Sequence, residues 1–190
     1  MKKDIGKYHK RFLKLIDSII ATDCRNKDID FLFGIEIACN LIKKQSKKNS
    51  KIFFVGNGGS AAIANHAAID FMKNLGLRAH SFSDSSLLTC ISNDFGYEYV
   101  FAKPIEFFSD KEDVLVTISS SGKSKNILKA VEIAESKGVD IITLSGFDLN
   151  NPLRSKGVCN FYVPSKEYGL VEVAHQYICH YIADILMKHK

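Results

Sequence analysis

The sequence predicts a three-layer α/β/α sandwich, a five-stranded parallel sheet covered by helices on both faces and preceded by two N-terminal helices. Three observations carry this. Two leading segments repeat apolar residues at helical spacing, five later segments are short and continuously apolar, and helical stretches separate those five. Continuous rather than alternating apolarity marks strands covered on both faces, and strands that alternate with helices assemble into a parallel sheet. With 190 residues and 46% hydrophobic content, the chain can bury one substantial core. It reads as a single domain over 1–190, in which 1–48 supply the leading helices and 49–190 the α/β core.

The elements follow in order. Ile5, Tyr8, Phe12, Leu15, Ile16 and Ile19 recur at three- and four-residue spacing, the signature of an amphipathic helix, and a second helix is expected at about 29–44. The stripe on a leading helix must be buried against the sheet or a second subunit. "KIFFVG" is the first strand, followed by "LRAHSFS", "DVLVTISS", "DIITLSG" and "CNFYVPS"; a helix is expected over 124–137. Three prolines and no low-complexity segment leave little room for a linker.

Composition narrows the function classes. The formal charge of +5 comes mostly from lysines in "MKK", "KKQSKK" and "KHK", runs that read as solvated helix ends and loops. No nucleic-acid partner is expected; an anionic small substrate suits the charge. The five cysteines (Cys24, Cys39, Cys90, Cys159, Cys179) are odd in number, scattered, and form no CxxC pair, which predicts reduced thiols in a cytoplasmic protein. The N-terminus lacks the apolar core of a signal peptide and no run reaches membrane-spanning length, so no membrane partner is expected.

Ligands of open α/β sheets bind where strand ends pass into the next helices. Two such loops are chemically unusual: "GNGGS" at 56–60 and "SSSGKS" at 119–124. In the first, Gly56, Gly58 and Ala61 fit a dinucleotide fingerprint, with Asp84 beyond the next strand as a candidate ribose ligand. Two helices before the first strand and a second polar loop argue against that reading, and no nucleotide cofactor is expected. In the second, Ser119, Ser120, Ser121 and Ser124 lie between an apolar strand and a helix start. Hydroxyls and first-turn N–H groups there make an anion site suited to a phosphate monoester. A single N-cap would need only one serine.

His66 and Asp70 stand one helical turn apart after the first loop, while Glu172, Gln176 and His180 share a stripe of roughly 80° in the last helix. These residues can carry protons or ligate a metal. His175 is offset from that stripe, as a packed histidine would be.

Here the sequence resembles the phosphoheptose isomerases of the sugar isomerase, or SIS, superfamily. "GNGGS" with His66 six residues after its serine, "SNDFGYE" at 92–98, "ISSSGKS" at 118–124, "TLSG" at 143–146, and the terminal pair His175 and His180 carry the resemblance, in order, from about residue 3 to the C-terminus. It implies a flavodoxin-like core that binds a phosphosugar, and a homotetramer joined through the N-terminal helices with active sites at subunit interfaces. It also implies ketose-to-aldose isomerisation supplying heptose for bacterial lipopolysaccharide or capsule. Ser60, Ser119, Ser121 and Ser124, with Gly58 and Gly59, would then hold the sugar phosphate. Asn57 and Asp94 would contact sugar hydroxyls, and His180 matches the catalytic histidine. Zinc would be held, as in some members, through His66, Asp70, Glu172 and His180.

Two departures mark this chain as divergent. Asp70 stands where the family typically has glutamate, the proposed base, and Glu172 where it has glutamine. Because a general base must come within about 2.6–3.2 Å of its proton, the shorter Asp70 loses reach that Glu172 could restore from the other helix. The resulting His, Asp, Glu, His set suits zinc or another divalent ion. The segment 69–88 also lacks the longer loop that many heptose enzymes carry before the second strand.

The expected reaction moves a proton between adjacent carbons through an enediol or enediolate, with His180 and either Asp70 or Glu172 as proton carriers. The rival reading is a non-catalytic phosphosugar-binding regulator or adaptor on the same fold, and the retained His66, His180 and serine loop weigh against it.

Overall fold

The five apolar runs form five parallel strands of one sheet in a computed structural model that describes residues 2–189. The elements in chain order are α1 (Lys2–Asp17), β1 (Ile20–Asp23), β2 (Asp28–Ile29), α2 (Phe31–Ser46), β3 (Lys51–Gly56), α3 (Gly59–Lys73), β4 (Arg78–Ser81), α4 (Ser85–Phe95), α5 (Ala102–Phe108), β5 (Val114–Ser119), α6 (Lys125–Ser136), β6 (Asp140–Gly146), β7 (Cys159–Val163) and α7 (Tyr168–Lys188). Short 3-10 turns occupy Tyr97–Tyr99 and Pro152–Ser155.

The sheet has seven strands where the sequence predicts five. Its order is β2-β1-β7-β6-β5-β3-β4. β1 pairs antiparallel with β7, Ile20 opposite Tyr162, and β2 pairs antiparallel with β1. These two strands are too short to show a period. Their hairpin is set by Asp23, whose carboxylate accepts from the backbone N–H of Arg25 (2.8 Å) and Lys27 (3.0 Å), and by Asn26 at φ 58°. The same backbone donors hold the Asp23 carboxyl below its ordinary pKa. Ile19, assigned by its spacing to the first helical stripe, lies in the turn between α1 and β1 and is buried there.

The strands send alternate residues to two cores. Ile52 and Phe54 of β3, with Val116 and Ile118 of β5, pack against α2, α3 and α7, while Phe53, Val55 and Leu115 pack against α4, α5 and α6. Burial on both faces is why β3, β5, β6 and β7 read as continuous apolar segments, whereas β4, at the sheet edge, alternates exposed and half-buried residues.

Numbered among themselves, the five parallel strands have the order 2-1-3-4-5, the flavodoxin-like arrangement. The order reverses between β3 and β5, which pair in register from Ile52 opposite Val114 to Gly56 opposite Ile118. Helices α3 and α6 leave the carboxyl ends of these strands toward opposite faces and open a crevice between them. Both unusual loops sit there.

Candidate functional site

The first loop is shaped by close approach. A Cβ on Gly56 would lie 2.5 Å from the carbonyl oxygen of Ser60, and Gly58 holds φ +54° at the N-cap of α3. Glycine tolerates both without a side-chain clash. With no side chain capping α3, its first turn faces the crevice. The dinucleotide reading loses its acid, because Asp84 is the N-cap of α4 and accepts from Leu87 N–H at 3.0 Å.

In the second loop, Ser124 occupies the N-cap of α6 but its side chain makes no capping bond. Its Oγ lies 3.4 Å from Ser119 Oγ, which accepts from Gly122 N–H at 3.2 Å. Ser121 Oγ accepts from Lys123 N–H at 3.2 Å, and Ser120 Oγ is buried without a partner. Gly122 turns at φ +62° hard against Asn151, and Lys123 pairs with Asp148 at 2.9 Å, so the loop after β6 buttresses the serine loop.

Together the loops enclose a cavity of about 250 Å³ lined by Asn57, Gly58, Gly59, Ser60, Ile118, Ser119, Ser120, Ser121, Ser124, Tyr168 and Glu172. Two helix N-termini converge there, and their dipoles, supplemented by serine hydroxyls, are suited to a phosphate. All the expected phosphate-binding residues are brought together here. Asp94 is not among the lining residues; it lies exposed in the last turn of α4, where Cys90 Sγ (3.6 Å) and Asn93 Nδ2 (2.8 Å) donate to it.

Farther along the packed pair α3 and α7 lies a second group. Asp70 Oδ2 is 3.3 Å from His66 Nε2 and 3.3 Å from His180 Nδ1, and the two imidazoles meet edge to face at 5.0 Å. One potential ligand atom from each residue lies within 4.8 Å of the others, so His66, Asp70 and His180 can converge on one metal ion. The donor set of two nitrogens and one carboxylate oxygen fits a divalent transition metal such as zinc.

Glu172 does not join that group. Its carboxylate lies against Gly59 at the start of α3, where the helix dipole favours negative charge. The residues expected to form one four-membered set are thus divided, three at the imidazole group and one in the cavity between the two loops. Gln176, between Glu172 and His180 on the α7 stripe, has a buried Nε2 without a partner. His175 is fully buried and faces away, its Nε2 donating to Ser145 O at 3.1 Å. Burial pushes its pKa down to about 4.

Three residues near the site had no role in the sequence reading. Tyr168 lines the cavity. Asn126 and Tyr97 both hydrogen-bond to Asn57. Tyr97 lies within the "SNDFGYE" run, whereas an isolated asparagine in the first turn of a helix carries no pattern that would distinguish it.

The fold and site define a SIS domain protein. The SIS domain family matches residues 19–146, and the chain belongs to it. Within it the chain is a divergent member of the phosphoheptose isomerase family. It is 38% identical over 156 residues to the phosphoheptose isomerase of Helicobacter pylori strain P12, covering 79% of this chain and 81% of that one. It is 36% identical over 179 residues to that of Vibrio vulnificus strain CMCP6, covering 88% and 92%. The solved phosphoheptose isomerase of Neisseria gonorrhoeae superposes with a TM-score of 0.84 at 28% identity, over 97% of each chain. A Francisella tularensis phosphoheptose isomerase shares the fold, with a TM-score of 0.83 at 23% identity over 100% of this chain and 99% of that one.

Proposed function

We propose that this chain is an aldose-ketose isomerase that converts sedoheptulose 7-phosphate to a heptose 7-phosphate, feeding bacterial surface polysaccharide. The observation that carries the reading is one crevice holding a phosphate cavity and, farther along the same two helices, a His–Asp–His group. Seven residues separate Gly59 from His66, roughly 10 Å along α3. An extended chain advances roughly 1.2 Å per bond, so the eight bonds from the first carbon of the ketose to phosphorus also span roughly 10 Å. A seven-carbon phosphosugar anchored by Ser60, Ser119, Ser121 and Ser124 matches that separation.

In this reading, one of His180 and Asp70 takes the proton from the first carbon and the other returns it to the second, through an enediol. Asp70 orients both imidazoles. A metal held by His66, Asp70 and His180, zinc being the best fit to the donors, would instead polarise the carbonyl and hydroxyl oxygens. The phosphate cavity positions the substrate, so a substrate lacking phosphate should lose turnover as well as affinity.

We further place the protein in the cytoplasm, where its five free cysteines match a reducing compartment. No helix among the described residues is long and apolar enough to cross a membrane. The assembly we propose is a homotetramer with active sites at subunit interfaces. Ile5, Tyr8 and Leu13 of α1, Ile69 beside Asp70, and Tyr177 near His180 are exposed apolar side chains that such an assembly would cover.

The test is NMR-monitored isomerisation of sedoheptulose 7-phosphate in deuterated water by wild type, Asp70→Asn and His180→Ala. Wild type should form the aldose with solvent deuterium beside the carbonyl, and each variant should lose at least about a hundredfold in kcat. Binding of the phosphosugar without any exchange would overturn the enzyme reading and make the chain a phosphosugar-responsive regulator.

A further inference from the structure

Asn57 stands in the cavity wall with nearly all its hydrogen-bonding capacity already used. Its Nδ2 donates to Asn126 Oδ1 at 2.9 Å; its Oδ1 accepts from Asn126 Nδ2 at 2.8 Å and from the Tyr97 hydroxyl at 3.1 Å. The direction of a reciprocal amide pair is fixed only by a neighbour whose donor role is certain. The backbone N–H of Ile127 is such a neighbour, and it donates to the Asn126 side chain at 3.0 Å, so the accepting atom is oxygen. Asn57 must then turn its NH2 toward that oxygen and its carbonyl toward the Asn126 NH2.

The remaining capacity can be counted. An amide oxygen has two lone pairs and an amide nitrogen two hydrogens. Both lone pairs of Asn57 Oδ1 are taken, whereas one Nδ2 hydrogen is not. Asn57 therefore meets a ligand as a donor only. Asn126 is 2% exposed and is not among the residues lining the cavity, so it reaches a ligand through Asn57 alone.

We propose that Asn126 is a positioning residue that locks the Asn57 amide as a donor to an accepting oxygen of the substrate, with Tyr97 closing the last acceptor position. The substrate named here rests on the isomerase reading. The lock itself depends only on something oxygen-rich entering the cavity. It predicts that this position reads a phosphate or carbonyl oxygen, or a hydroxyl oxygen through its lone pair, and never a hydroxyl through its hydrogen.

The decisive variant is Asn126→Asp. It is isosteric and still accepts from Ile127 N–H. Its second oxygen takes the place of the Asn126 Nδ2 that donates to Asn57 Oδ1, so acceptor faces acceptor and the Asn57 amide loses its fixed direction. The experiment measures the Kd of sedoheptulose 7-phosphate by calorimetry, with KM and kcat alongside, for Asn57→Ala, Asn126→Ala, Asn126→Asp and the double alanine variant. Expected are about tenfold weaker binding in each single variant expressed through KM rather than kcat, and a double variant no weaker than Asn57→Ala. Additive losses in the double variant, or wild-type affinity in Asn126→Asp, would overturn the proposal. Wild type that binds without turnover, with the same pattern of Kd values, would overturn the isomerase reading and support the lock.

Discussion

Glu172 places a carboxylate in a cavity wall otherwise made of glycine, serine, asparagine, isoleucine and tyrosine. A phosphate entering the cavity meets that charge at short range, in surroundings that screen it less than bulk water does. Glu172→Gln should therefore tighten inorganic phosphate about fivefold, on the order of 1 kcal/mol, in chelator-treated protein titrated by calorimetry. Unchanged affinity would show that the carboxylate swings clear when phosphate arrives. His175 gives a prediction of a different kind. Its folded pKa is depressed from 6.5 to about 4, so between these values the unfolded chain binds the proton that the folded chain refuses. Its contribution to stability is complete above about pH 6.5, declines as pH falls, and levels below about 4, a total on the order of 3 kcal/mol. Urea unfolding of wild type and His175→Gln at pH 7 and pH 4.5 should show a shallower acid loss in the variant.

Two helix starts separate capping from ligand binding. Asp30 caps α2 by accepting from Leu32 and Phe33 N–H, whereas the Ser124 side chain stands at the α6 N-cap and caps nothing. Asp30→Ala should cost about 1 kcal/mol of stability. Ser124→Ala should cost less than about 0.5 kcal/mol yet weaken phosphate binding severalfold, as unfolding curves and phosphate titrations would show. The same contrast marks what the residues disclose in advance. Apolar runs gave away the five parallel strands, and four serines between a strand and a helix pointed to a loop that lines the cavity. The spacing of His66 and Asp70 put them on one face, and His180 proved to meet them. The α7 stripe likewise placed Glu172 on the facing surface, but eight residues separate it from His180, roughly 12 Å along the helix, so it meets the start of α3 at the other end of the crevice. The β1–β2 hairpin was invisible because four residues and two residues are too few to display a period. Asn126 was invisible because its importance comes from a partner 69 positions away.

At the scale of the molecule, the leading helices and the α3–α7 face carry more exposed apolar side chains than a lone protomer would be expected to leave in water: Ile5, Tyr8, Leu13, Ile69, Met72, Val173 and Tyr177. Light scattering should report a mass near four protomers, and Ile69→Glu with Val173→Lys should lower it while leaving each protomer folded by circular dichroism. An unchanged mass would place the contacts elsewhere. The pairing of β1 with β7 has a consequence for synthesis. Residues 20–23 reach the ribosome exit early, yet their partner strand, 159–163, is made only when the chain is nearly complete. Until then β1 has no place on the growing sheet, and the apolar face of α2 lacks the strand and α7 that cover it. The N-terminal fifth of the chain must wait for the C-terminal fifth, so a stalled or truncated product exposes an unpaired strand beside an uncovered helix. Such a species is a target for chaperones or for aggregation rather than a smaller working enzyme.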